Sequence, residues 1–234
     1  MDTTCGADTS KVMKRKSLFL FLFLIVSALE LLSLTLNWTA VLYVVKPCIM
    51  LTLIGYYVSN TPSRSSFFIL ALSFCWAGDV FLLFQPKVEM FFMLGLLAFL
   101  IGHALYIISY RSLRWSDQTH ELLPTQKVRF SFPIVLAGTG LIVVLFPTLG
   151  ALKIPVMVYA LVLMLMVMTA LFRYGRASTA SFWMMFTGAA LFMTSDSLLA
   201  LNKFYSPIGM GGFLIMLTYC SAQYLIVEGA LRHK

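Results

Sequence analysis

Eight long apolar blocks run along the chain, each separated from the next by a few polar or turn-forming residues. They cover Ser17–Leu36, Val41–Val58, Phe67–Phe84, Met90–Tyr110, Phe132–Leu149, Ile154–Phe172, Ser181–Leu201 and Gly209–Gly229. Each holds about 17 residues or more, enough for a helix to cross a hydrocarbon core. The apolar residues are continuous, without the polar face that a helix packed in water would carry. The pattern predicts an all-α fold, a polytopic membrane bundle of about eight transmembrane helices. Residues 1–16 form an N-terminal tail, 17–230 a single eight-span domain and 231–234 a C-terminal tail. Spans two and five are the least regular, because Lys46-Pro47 interrupts one and Pro147 shortens the other.

Composition agrees. The chain is 60% hydrophobic and 11% charged, with a mean hydropathy of +0.91, too little charge to cover a soluble domain of this size. The net charge of +8 does not point to nucleic acid, because the basic residues sit in short segments beside the blocks. With the N-terminus inside, the inner segments carry Lys11, Lys14, Arg15, Lys16, Arg64, Arg111, Arg114, Lys127, Arg129, Arg173, Arg176, Arg232 and Lys234. The outer loops carry only Lys87, Lys153 and Lys203. This bias places both termini in the cytoplasm, in a bacterial inner membrane or the endoplasmic reticulum. A rival reading takes Lys14-Arg15-Lys16, the stretch from Leu18 and Val26-Ser27-Ala28 as a signal peptide. The apolar block continues past that cleavage point, which favours a span. Cys5, Cys48, Cys75 and Cys220 form no CxxC and imply neither a disulfide framework nor a metal cluster.

The two halves echo each other. Gly78-Asp79-Val80-Phe81-Leu82-Leu83 resembles Ser195-Asp196-Ser197-Leu198-Leu199, and His103-Ala104-Leu105-Tyr106 resembles Ser221-Ala222-Gln223-Tyr224. A 4+4 parallel repeat accounts for this, since an even number of spans preserves orientation.

A charge inside the hydrocarbon costs about 2.5–3.5 kcal/mol even on a lenient scale. Glu30, Lys46, Asp79, His103, Asp196 and Glu228 therefore each need a reason. Glu228 reads as a solvated helix end paired with Arg232. Glu30, Lys46, Asp79 and Asp196 fall at one depth, about 8–9 Å below the outer boundary, as if sharing a polar cavity. The aspartates are too short to snorkel, whereas Lys46 can and Glu30 reads as tolerated near the head groups. His103, Tyr106, Tyr219 and Gln223 lie about 8–12 Å deeper and are expected to floor the cavity. The chain has no GxSxG, HExxH, P-loop or dinucleotide motif, and one intramembrane histidine does not make a zinc site. No metal or cofactor is expected.

Several pieces, in order, resemble a known family: Val45-Lys46-Pro47, Gly78-Asp79-Val80-Phe81-Leu82, Gly95-Leu96, Gly102-His103-Ala104-Leu105-Tyr106, Gly188-Ala189, Ser195-Asp196-Ser197 to Asn202, and Thr218-Tyr219 with Ala222-Gln223. Together they are similar to the YhhN-like lysoplasmalogenases. That resemblance implies an integral membrane hydrolase that cleaves the vinyl ether of a lysoplasmalogen into a fatty aldehyde and a glycerophospho-head group. Cys220 departs from it, standing where a second aromatic is expected after Tyr219. Vinyl ether hydrolysis asks for one protonated carboxyl and one carboxylate, as paired acids serve glycoside cleavage. Asp79 and Asp196 are the expected catalytic pair, their individual roles left open, with Lys46 fixing the charge state. Lys46, His103, Tyr106, Asn202, Tyr219 and Gln223 are the expected substrate-binding positions. The expected partners are the lysolipid and the bilayer, without nucleic acid. The alternatives from the residues alone are a proton-coupled small-molecule transporter and a structural protein whose acids hold helices together.

Overall fold

The computed structural model describes residues 4–61, 65–85, 88, 90–116 and 121–233, with side chains from residue 18 onward. Arg64, Lys87 and Lys234, and the side chains of Cys5, Lys11, Lys14, Arg15 and Lys16, lie outside the described residues. Among the described residues eight α-helices follow one another: α1 Thr4–Thr35, α2 Thr39–Asn60, α3 Ser66–Phe84, α4 Met90–Ser112, α5 Pro124–Leu145, α6 Lys153–Leu171, α7 Thr179–Phe204 and α8 Gly211–Leu231. Each contains a stretch long and apolar enough to cross a membrane. The chain is a multi-pass integral membrane protein, built from the one open-chain structure that satisfies its own backbone in lipid.

Polar caps set several boundaries. Ser65 and Ser178 open α3 and α7 by accepting from the amides of Phe68 and Ser181, at 3.4 and 3.3 Å. The expected span at Phe132–Leu149 is displaced to Pro124–Leu145. Pro124 suits a first helical turn and Gln126 accepts from the Leu123 amide at 2.9 Å, so the helix extends back through Lys127 and Arg129. At its other end it stops short of Pro147, which cannot continue the backbone ladder. The basic tail is likewise helical from Thr4.

In the first half α1 packs on α2, α2 on α3 and α3 on α4. In the second, α5 packs on α6, α6 on α7 and α7 on α8. The contacts α2–α8 and α6–α4 join the halves and exchange under a four-helix shift. This neighbour pattern is the one a four-plus-four repeat produces; α1–α8 and α5–α7 have no counterpart. The closest pair is antiparallel α7 and α8. A Cβ on Gly188 would stand 2.9 Å from the Ala222 carbonyl oxygen, and one on Gly229 2.8 Å from the Met185 nitrogen. Ser181 Oγ donates to the Gly229 carbonyl at 2.5 Å and Ser195 Oγ to that of Ile215 at 3.0 Å. Such close approach replaces the hydrophobic drive that lipid cannot supply.

By contrast, α3 and α4 reach α8 through long side chains rather than backbone approach, which leaves the middle of the bundle for polar groups. Helix α5 is peripheral. Among the described helices it packs on α6 and α7 alone, and its Val143 is 72% exposed.

Candidate active site

On α3, Asp79 is 3% exposed and accepts a hydrogen bond from the Tyr219 hydroxyl of α8 at 2.6 Å. Tyr219 Oη in turn accepts from Gln223 Nε2 at 3.4 Å, and Gln223 Oε1 accepts from the Tyr106 hydroxyl of α4 at 2.7 Å. The chain Asp79–Tyr219–Gln223–Tyr106 thus links three helices and unites four expected residues.

On α7, Asp196 accepts from the Tyr159 hydroxyl of α6 at 2.5 Å. His103 of α4 lies beside it, its Nε2 4.0 Å from Asp196 Oδ2. That gap exceeds hydrogen-bond reach, and neither ring nitrogen of His103 has a partner among the described residues. The imidazole is fully buried among Phe99, Phe192 and Tyr159. Phe99 and Phe192 also pack edge-on against Tyr219, so these two rings touch both the histidine beside Asp196 and the tyrosine that bonds Asp79. The two carboxyls are within electrostatic range of one another.

The placement of His103 well below the aspartates does not hold. Helical side chains lean toward the N-terminus of their own helix. Helices α4 and α7 run in opposite senses without packing directly on each other, so His103 and Asp196 lean toward each other across the gap, to 4.0 Å. The same opposition brings Tyr219 to Asp79.

Lys46, on α2, is within electrostatic range of both Asp79 and Glu30. Among the described residues it makes no ion pair with either. Cys220 lies within range of the same three charges and beside Ser27 of α1. Asn202 stands apart: its Oδ1 accepts from the Ile208 amide at 2.8 Å and shapes the α7–α8 connection. Glu228 is not a solvated end but is 7% exposed, held by Arg232 at 3.1 Å and by the Tyr56 hydroxyl of α2. Two features of the site escape sequence reasoning. Tyr159 carries no charge to betray it, although its depth on α6 matches that of Asp196 on α7. Glu30 is conspicuous in the sequence, but nothing local shows that it faces inward.

A cleft of about 60 Å³ lies between α4, α5, α6 and α7, with Asp196, Tyr159 and Ser197 as its polar lining. The remaining walls are apolar, including Leu96, Leu145, Leu163 and Ala200. Among the described residues no group of three or more His, Cys, Asp or Glu could hold a metal ion.

At the opposite end, beyond α6, Arg173 is fully buried and donates to the Leu113 carbonyl at 2.9 Å and to Ser181 Oγ at 2.9 Å. Burial pushes its guanidinium down to about 10. Burial, then the nearby Arg173, hold the His233 imidazole below its ordinary value.

Fold and site together define a polytopic membrane protein with one buried and one half-buried aspartate in its bundle, each bonded by a tyrosine from another helix. The chain belongs to the YhhN family, whose model matches residues 41–230. It is 30% identical to the lysoplasmalogenase TMEM86B of Homo sapiens over 234 residues, 99% of this chain and 93% of that protein. It is also 30% identical to the lysoplasmalogenase TMEM86A of Bos taurus over 207 residues, 85% of this chain and 80% of that protein. No solved structure matches the chain.

Proposed function

We propose that this protein hydrolyses the vinyl ether bond of lysoplasmalogens within the membrane, releasing a fatty aldehyde and a glycerophospho-head group. The observation that carries the reading is Asp196 on the lining of an apolar cleft, with Asp79 within its electrostatic range. The names of the relatives support the same substrate class.

The regiochemistry assigns the roles. The carbon that must be protonated is the one bonded to the alkyl chain, β to the ether oxygen. With the chain in the cleft, that carbon faces Asp196, which donates the proton. The oxocarbenium carbon lies one bond nearer the head group and faces Asp79, which takes a proton from the attacking water. Lys46 offers a counter-charge to Asp79, as a carboxylate in that role requires. The hemiacetal then collapses; its hydroxyl proton returns to Asp196, the proton on Asp79 passes to the departing glycerol oxygen, and one water is consumed. Tyr159 and Tyr219 orient the two carboxyls. A single-chain lipid reaches the site sideways, past α5, without leaving the bilayer.

The test is aldehyde release from a vinyl-ether lysophospholipid by purified protein, beside Asp79→Asn and Asp196→Asn. Each variant, inserted and folded, is expected to lose about 10²-fold or more in kcat, the scale of acid–base assistance. Near-normal turnover in both would discard the pair. A wild type that releases no aldehyde would favour the transporter, and flux across liposomes would decide it.

A further inference from the structure

Helix α1 lies outside the residues matched by the family model, yet it contributes a buried acid to the site. Glu30 is 1% exposed, and its Oε2 has no hydrogen-bond partner among the described residues. One turn earlier on the same helix, Ser27 is 8% exposed and its Oγ is also unpartnered, with only the weak donor Cys220 beside it. Glu30 and Asp79 both end up five residues from the end of their helices, α1 and α3. Both face Lys46 across a gap too wide for an ion pair. Two carboxyls thus share one ammonium, and two acceptors lack a donor.

We infer that Glu30 and Ser27 form a subsite for the primary ammonium of a zwitterionic lysolipid head group, with Lys46 taking the adjacent phosphate. The inference rests on the lysolipid reading above and adds what the head group must carry. A primary ammonium supplies one positive charge and three N–H donors, which meets both deficits at once. A phosphoglycerol head has no positive charge to offer Glu30, and its phosphate would leave Lys46 as the one cation facing Glu30, Asp79 and the phosphate. The subsite lies beside Asp79, on the head-group side of the proposed reacting bond, so the polar end and the alkyl chain extend in opposite directions from the aspartates.

The experiment measures binding of 1-O-alkyl lysolipids, which lack the vinyl bond and cannot turn over, to the full chain in detergent by native mass spectrometry. Ligands of one chain length carry either an ethanolamine or a glycerol phosphodiester head. Wild type is expected to prefer ethanolamine, and Glu30→Gln to reduce that preference about tenfold, the loss of one charged contact. Glu30→Asp, which keeps the charge, is expected to restore part of it. Thermal unfolding of each variant reports whether it is folded, and the ratio between ligands cancels a general loss of binding. An unchanged ratio in Glu30→Gln, or a wild type that prefers the glycerol head, overturns the subsite. Because these ligands are inert, the outcome is separate from the hydrolase reading. Aldehyde release with an unchanged ratio would sink only the subsite; a Glu30-dependent ratio without aldehyde release would sink only the hydrolase.

Discussion

The Tyr159 hydroxyl stands 2.5 Å from Oδ2 of Asp196, joining α6 to the one carboxyl that faces the apolar cleft. Among the described residues this is the direct hydrogen bond that fixes how Asp196 is presented. Tyr159→Phe removes it with little change in volume. It is expected to lower kcat for vinyl ether cleavage about tenfold to a hundredfold, the worth of a hydrogen bond to a charged or reacting group. Unchanged kcat in steady-state aldehyde release would mean that the pair only holds helices together.

The cleft predicts a chain-length effect. Ala200→Trp places an indole among the apolar walls. For a long-chain substrate KM should rise about tenfold or more, since each methylene driven out of the cleft forfeits roughly 0.8 kcal/mol. A substrate several carbons shorter should be affected less. Equal losses for both lengths would place the alkyl chain elsewhere.

The seam between α7 and α8 should tolerate no side chain. Gly188→Leu drives a side chain against the Ala222 carbonyl and Ile226, whereas a Cβ added to Gly140 on α5 would meet nothing within 4 Å. Thermal unfolding in one detergent should show Gly188→Leu destabilised by about 1–3 kcal/mol, the cost of overpacking, and Gly140→Leu near wild type. Similar midpoints would contradict the close approach.

A pH effect follows from His233. Its folded-state value is below the ordinary 6.5 because burial and Arg173 disfavour the charge. The unfolded chain therefore binds the proton more readily, and stability falls as pH drops through 6.5. The loss is complete once the folded-state imidazole is also protonated. The drop in midpoint between pH 8 and 5.5 should be smaller in His233→Gln; an equal drop would remove His233 from the acid response.

Asp79 and Asp196 are legible in the sequence because a short carboxyl within an apolar block cannot reach water. The eight helices are legible for the complementary reason, that lipid demands long uninterrupted runs. What the sequence withholds depends on neighbours. Tyr159 is at home in hydrocarbon whether it packs or bonds an acid, and only the placement of α6 against α7 decides. Residue counting sets His103 at the wrong depth because it ignores which way side chains lean on antiparallel helices. Glu228 passes for a solvated end because its second partner, Tyr56, is 172 positions away. Asn202 carries the same kind of signal as the site residues, yet its side chain serves a connection.

The peripheral position of α5 changes the meaning of concentration for such a protein. A cleft walled by a helix with only two neighbours opens onto a solvent of two dimensions. A lipid ligand entering by that side is counted per area of leaflet, and adding inert lipid dilutes it even when the molarity in the tube stays fixed.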